Sequence, residues 1–109
     1  MEIKNINSQI INWDNADTIE AKGETGVNKS KEHISGEIRI RLSEYSANYK
    51  SAEWCGKGHI IHCIEGEMTI RLKSGNNIKL IEGDSLVLAE NDPHIALTGN
   101  IPAKIFIVD

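Results

Sequence analysis

The chain has 109 residues, 39% hydrophobic, 26% charged and only 5% aromatic, with a formal net charge of −4 at pH 7. That length supports one domain with a single modest core, built mainly from Ile, Leu and Val. The acidic balance excludes a nucleic-acid partner, which needs a basic stripe, and no apolar run approaches the length of a membrane span.

Residues 1 to about 35 carry the weakest periodicity and read as an N-terminal arm with short strands. Met1–Ser8 alternates polar and apolar residues without the apolar core of a signal peptide, which predicts a cytoplasmic location. Cys55 and Cys63 are then expected as thiols rather than as a disulfide. Ile3, Ile6, Ile10 and Ile11 suit a short strand or an irregular arm, Trp13 a packing anchor over a sheet end. Gly23 and Gly26 flank a turn. From residue 36 onward the pattern is that of a barrel.

Ile38, Ile40 and Leu42 alternate with Arg39, Arg41 and Ser43, the period of a half-buried strand. His59–Ile64 is an apolar strand expected to be covered on both faces and to end in a turn at Glu65-Gly66. Met68, Ile70 and Leu72 alternate next, and Ser74–Asn77 has the composition of a hairpin turn. Ile78 and Leu80 continue, Glu82–Asp84 turns again, and Leu86–Leu88 forms a short buried strand. Two last strands, Ile95–Leu97 and Ala103–Val108, flank a Thr98–Pro102 connection. Short strands at regular spacing with Gly, Asn and Pro turns predict an all-β antiparallel jelly roll or small barrel.

The chemistry-bearing residues gather in one stretch. Glu53, Cys55 and His59 lie within seven residues, and His94 follows thirty-five positions later. In an extended chain Glu53 and Cys55 would project to one side. A thiolate, a carboxylate and two imidazoles neutralise and fit a divalent transition metal (zinc, nickel, iron or copper), whereas sulfur disfavours magnesium and calcium. Three protein ligands would leave an open position for water or substrate. Glu53 is read as a fourth ligand, a general base or a solvated rim charge. Cys63 is read as an interior hydrophobe, His62 as facing the opposite side of its strand, and His33 as exposed.

These residues resemble a cupin and, more narrowly, the small single-domain cupins called DHCW motif proteins. The resemblance covers most of residues 1–109. It runs through Gly23-Glu-Thr-Gly26, Arg39-Ile-Arg41, Glu44-Tyr-Ser46, Trp54-Cys55, Lys57-Gly-His59, Glu65-Gly-Glu67, Gly83-Asp84, Pro93-His94 and Lys104–Asp109. Counting back from Gly66, the first cupin motif's ligand positions fall on Glu53, Cys55 and His59. Gly83 and His94 bound the second motif, whose internal proline and glycine are here Ala89 and Asn91. DHCW relatives carry Asp-His where this chain has Ala52-Glu53, so a carboxylate replaces the first histidine ligand.

The resemblance implies a metal-binding cupin acting on a small molecule, with Lewis-acid or dioxygen chemistry if it is an enzyme. Two alternatives stay open. One is a non-catalytic module that binds a small ligand or metal; the other is a metal-free barrel in which Glu53 has abolished the site. Ile105–Val108, apolar on both faces, calls for cover, and a homodimer is the expected solution.

Overall fold

A computed structural model describes all residues, 1–109. Eight strands carry the fold: β1 (Thr18–Lys22), β2 (Val27–Ser35), β3 (Ile38–Tyr45), β4 (His59–Leu72), β5 (Asn77–Ile81), β6 (Ser85–Leu88), β7 (His94–Leu97) and β8 (Ala103–Val108). Every pairing is antiparallel, in the order β1-β2-β3-β8-β4-β5, with β6 and β7 also on β4. The expected all-β antiparallel jelly roll is the observed architecture. Ile3–Ile11 forms no strand, and the sole helical element is a 3-10 turn at Trp13–Asn15. Trp13 is half-buried, and its carbonyl accepts a 2.8 Å bond from Lys31 Nζ.

Strand β4 is the axis. Its first half pairs with β8 and β6, its second half with β5 and β7. The turn expected at Glu65-Gly66 is instead a β-bulge, a register shift between Cys63 and Glu65 opposite β8. Gly66 has φ 80°, and a Cβ there would lie 1.9 Å from the Pro102 carbonyl oxygen. A residue without a side chain therefore lets one strand bend from one sheet into the other without ending.

The alternation on β3 identified a strand but assigned its faces in reverse. Ser43 and Tyr45 are buried, and Arg39 and Arg41 share their parity, so the polar row points into the barrel. Ile38, Ile40 and Leu42 lie on the outer face, where Ile3, Ile6, Ile11 and Ile40 line one surface groove. The interior polar groups are satisfied in part by a buried 2.7 Å bond between the Ser30 and Ser43 hydroxyls.

Inside the barrel, Ile61, Cys63, Met68 and Ile70 of β4 meet Ile105 and Ile107 of β8. Each such aliphatic side chain contributes on the order of 1.5–3 kcal/mol by leaving water. On β4 and β8 only the inward face is fully buried; Ile60 keeps 43% exposure and Phe106 is half-buried. The double coverage expected for these strands is thus absent within one chain. The barrel's last edge is closed without a ladder: Lys50 is bridged to Thr25 on one side and Leu97 on the other, and single backbone bonds join Asn48 to Gly99, Tyr49 to Thr98 and Ser51 to Ala96.

Candidate metal centre

Residues 51–58 are irregular rather than a strand, so strand parity does not place Glu53 and Cys55. Cys55 is held instead by a single bridge to β7. Its amide donates to the His94 carbonyl and the His94 amide donates to its own, both at 2.9 Å. This brings together residues 39 positions apart. Gly58 packs closely on the Leu88–Glu90 turn, where a Cβ would stand 3.2 Å from the Leu88 carbonyl oxygen. Its amide donates to Glu90 Oε1 at 3.1 Å. Asn91 stands where the second cupin motif places a glycine, and adopts φ 63°, a conformation asparagine tolerates better than most residues.

Cys55, His59 and His94 converge. Their ligand atoms all lie within 4.8 Å of one another, with Cys55 Sγ and His59 Nε2 3.4 Å apart. Both imidazoles are buried and cross edge to face, centroids 5.2 Å apart. Donors about 2.0–2.3 Å from one ion would sit roughly 3.3–3.8 Å from each other, so small movements suffice to enclose a metal. The donor set, one sulfur and two imidazole nitrogens, fits a transition metal.

The second nitrogen of each ring faces an oxygen, but only that of His94 is hydrogen-bonded. His94 Nδ1 donates to the Asp92 carbonyl at 3.1 Å, which leaves Nε2 as its free donor atom. His59 Nδ1 lies 3.0 Å from Asp109 Oδ2 in a bent approach rather than an aligned hydrogen bond. A hydrogen bond such as that of His94 fixes the tautomer of a metal-binding histidine, and a small rotation of His59 would give it the same support from Asp109. Burial drives the His59 pKa down to about 4, and Arg41, His94 and Arg39 add to the fall against the pull of Asp109, so the ring is neutral at pH 7.

Asp109 and the two arginines were not singled out as site residues from the sequence. Asp109 has no solvent-exposed side-chain surface; its Oδ1 and Oδ2 accept from Arg39 Nε and Nη2 at 2.9 and 2.8 Å. That paired bond holds its pKa near 2. The signal was present in Arg39-Ile-Arg41, two cations on one strand face, but an inward orientation for them runs against the usual polarity of a strand.

Glu53 is exposed and stands apart from the three-residue cluster, yet it lines the same barrel cavity of about 430 Å³ as Cys55, His59 and His94. Cys63 is fully buried in the core and His62 faces the other way, bonded to Ser85 Oγ at 2.7 Å. His33 is half-buried and lies 3.0 Å from Gln9. Both cysteines are free.

No family model and no curated protein matches this sequence. Solved structures do match in fold. A predicted oxalate decarboxylase from Thermotoga maritima aligns at TM-score 0.76 and 13% identity, over 92% of this chain and 96% of its own. The Fe(II)-HppE complex with an alternative substrate aligns at 0.78 and 13% identity, over 94% of this chain and 60% of that one. A cupin-2 domain containing protein from Shewanella frigidimarina aligns at 0.60 and 17% identity, over 73% and 78%. The chain has the fold of a small cupin.

Proposed function

We propose that this protein is a metal-binding cupin that holds one divalent transition metal through Cys55, His59 and His94 and takes a small molecule into its barrel. The observation that carries this reading is the convergence of one thiol and two buried imidazoles on the cavity. The iron(II) named for one fold relative supports it by analogy. Zinc, nickel, iron and copper all suit the donors. A bound metal would supply Lewis-acid polarisation or, if redox-active, dioxygen chemistry. The chain's own contribution is to orient both rings through Asp92 and Asp109 and to wall the cavity with Ile61, Ile70 and Ile107. Glu53, on the cavity rim, acts in this reading as a fourth ligand that swings in or as a general base.

Membership of the DHCW group, a cytoplasmic location and a homodimer belong to the same proposal. The two free thiols suit a reducing compartment. The dimer is supported by the outer sheet face, where Ile40, Val108, Ile60 and Val87 stand in one row across β3, β8, β4 and β6.

Elemental analysis of untagged protein tests the centre. Near-stoichiometric metal that falls several-fold in Cys55→Ala is the expected result. No metal in either sample, and none taken up on titration, would leave a metal-free ligand-binding barrel. Glu53→His, run beside them, is expected to raise metal affinity if position 53 reaches the ion.

A further inference from the structure

The cavity's charges do not balance. Arg39, Arg41 and Lys22 line it, and Glu53 is the one carboxylate among its lining residues. Asp109 lies behind this wall and is committed to Arg39 through two short bonds and to His59 at 3.0 Å. Arg41 receives only what remains, a 3.5 Å contact from its Nη2 to the same Oδ2. Its Nε is buried with no acceptor at all. A guanidinium so weakly paired costs stability. Nε itself is closed off, but the Arg41 side chain keeps 19% exposure and lines the cavity, so an anionic ligand there can pair with the rest of the group.

We propose that the barrel cavity binds a small organic monocarboxylate, with the Arg41 guanidinium as the anchor that receives its carboxylate. This rests on the reading that the ligand occupies the barrel interior, and it adds the ligand's chemical class. One carboxylate already faces two guanidiniums, so the deep site lacks a single negative charge. A phosphate dianion would overfill it. The planar fork of arginine matches a carboxylate in paired hydrogen bonds. Tyr45, half a strand beyond Arg41 on the same inward row of β3, lines the cavity as well and keeps its hydroxyl proton, since burial raises its pKa to about 12. The walls beyond are aliphatic: Ile61, Ile70, Ile105 and Ile107. A carboxylate head with an apolar body satisfies both ends.

The test is calorimetric titration of wild type with two isosteric pairs, benzoate against benzamide and hexanoate against hexanamide, with inorganic phosphate as a further probe. Each titration is run on protein as purified and after chelator treatment. We expect wild type to prefer the carboxylate of at least one pair by roughly tenfold or more in both states. The preference should fall below about twofold in Arg41→Met, and by at least about half in Arg41→Lys, which keeps the charge and loses the fork. The lysine variant carries the test if the methionine variant does not fold. No carboxylate preference in wild type, a preference kept by either variant, or phosphate binding tighter than either carboxylate overturns the inference. A carboxylate response that appears only with metal and survives in Arg41→Met overturns it too, and leaves the metal centre standing. Failure of wild type to take up metal, with the apo preference intact, removes the metal reading alone.

Discussion

His59 touches three things at once: the Cys55 thiol, the edge of His94 and the Asp109 carboxylate. Its ring is neutral in the fold because burial outweighs the carboxylate's attraction, which sets an acid limit on the protein. The unfolded chain takes up a proton near pH 6.5 while the folded chain resists until about pH 4, so stability is present above 6.5 and lost as pH falls between those values. Asp109 adds a second loss at lower pH, through the interval between its ordinary value of 3.8 and about 2. For chelator-treated protein, urea denaturation from pH 7.5 to 4.5 is expected to show a decline on the order of 1–2 kcal/mol, less than the full shift because solvent screens part of the interaction. His59→Asn should flatten that decline. An unchanged slope in the variant would assign the loss to other groups.

The strand elements were legible from alternation and turn chemistry; their faces and bends were not. Ser74–Asn77 turns between β4 and β5 as its composition implied, because Gly75 supplies the positive φ the hairpin needs. Glu65-Gly66 also carries a glycine and does not turn, since what it meets is Pro102, just before β8, rather than its own neighbours. Likewise the row of Arg39, Arg41, Ser43 and Tyr45 points inward because a cavity and Asp109 await it, which no local period encodes. The candidate ligands Cys55, His59 and His94 were visible by spacing, whereas the partner that orients His59 lies fifty residues further along the chain. Gly66→Ala is expected to destabilise by roughly 2–4 kcal/mol in thermal denaturation, since the added methyl both strains a positive φ and strikes a carbonyl. Gly75, at φ 118° with nothing within 4 Å, supplies the comparison: its alanine variant should cost only about 1 kcal/mol. Equal losses at the two sites would mean that the close approach to Pro102 does not constrain the bulge.

At the scale of the whole molecule, the inner and outer faces of the larger sheet differ in kind. The inner face holds a cavity and charges; the outer face holds aliphatic side chains, with Ile60 at 43% and Val87 at 77% exposure. Strand β1, exposed at every position, forms one edge, and its Glu20 and Lys22 discourage strand addition there. Association is therefore expected through the face and not the edge. Light scattering should return twice the 12.1 kDa chain mass for wild type and a single chain mass for the double variant Ile60→Asp, Val87→Lys. A wild type that stays monomeric at all concentrations would remove the dimer from the proposal.

The closure at Lys50 gives the barrel a consequence of its own. Elsewhere neighbouring strands share ladders of four or more residue pairs, but this seam has only isolated bridges, Lys50 to Thr25 and Leu97 and Cys55 to His94, with single backbone bonds at Asn48, Tyr49 and Ser51. Tyr49 and Ser51 line the cavity. Parting the seam breaks these isolated bonds and leaves every ladder on β4 intact, so it is expected to open before any ladder does. The barrel thus behaves less like a sealed cup than like a garment with a short fastening, able to widen around its contents while the stiff back of the sheet keeps its shape.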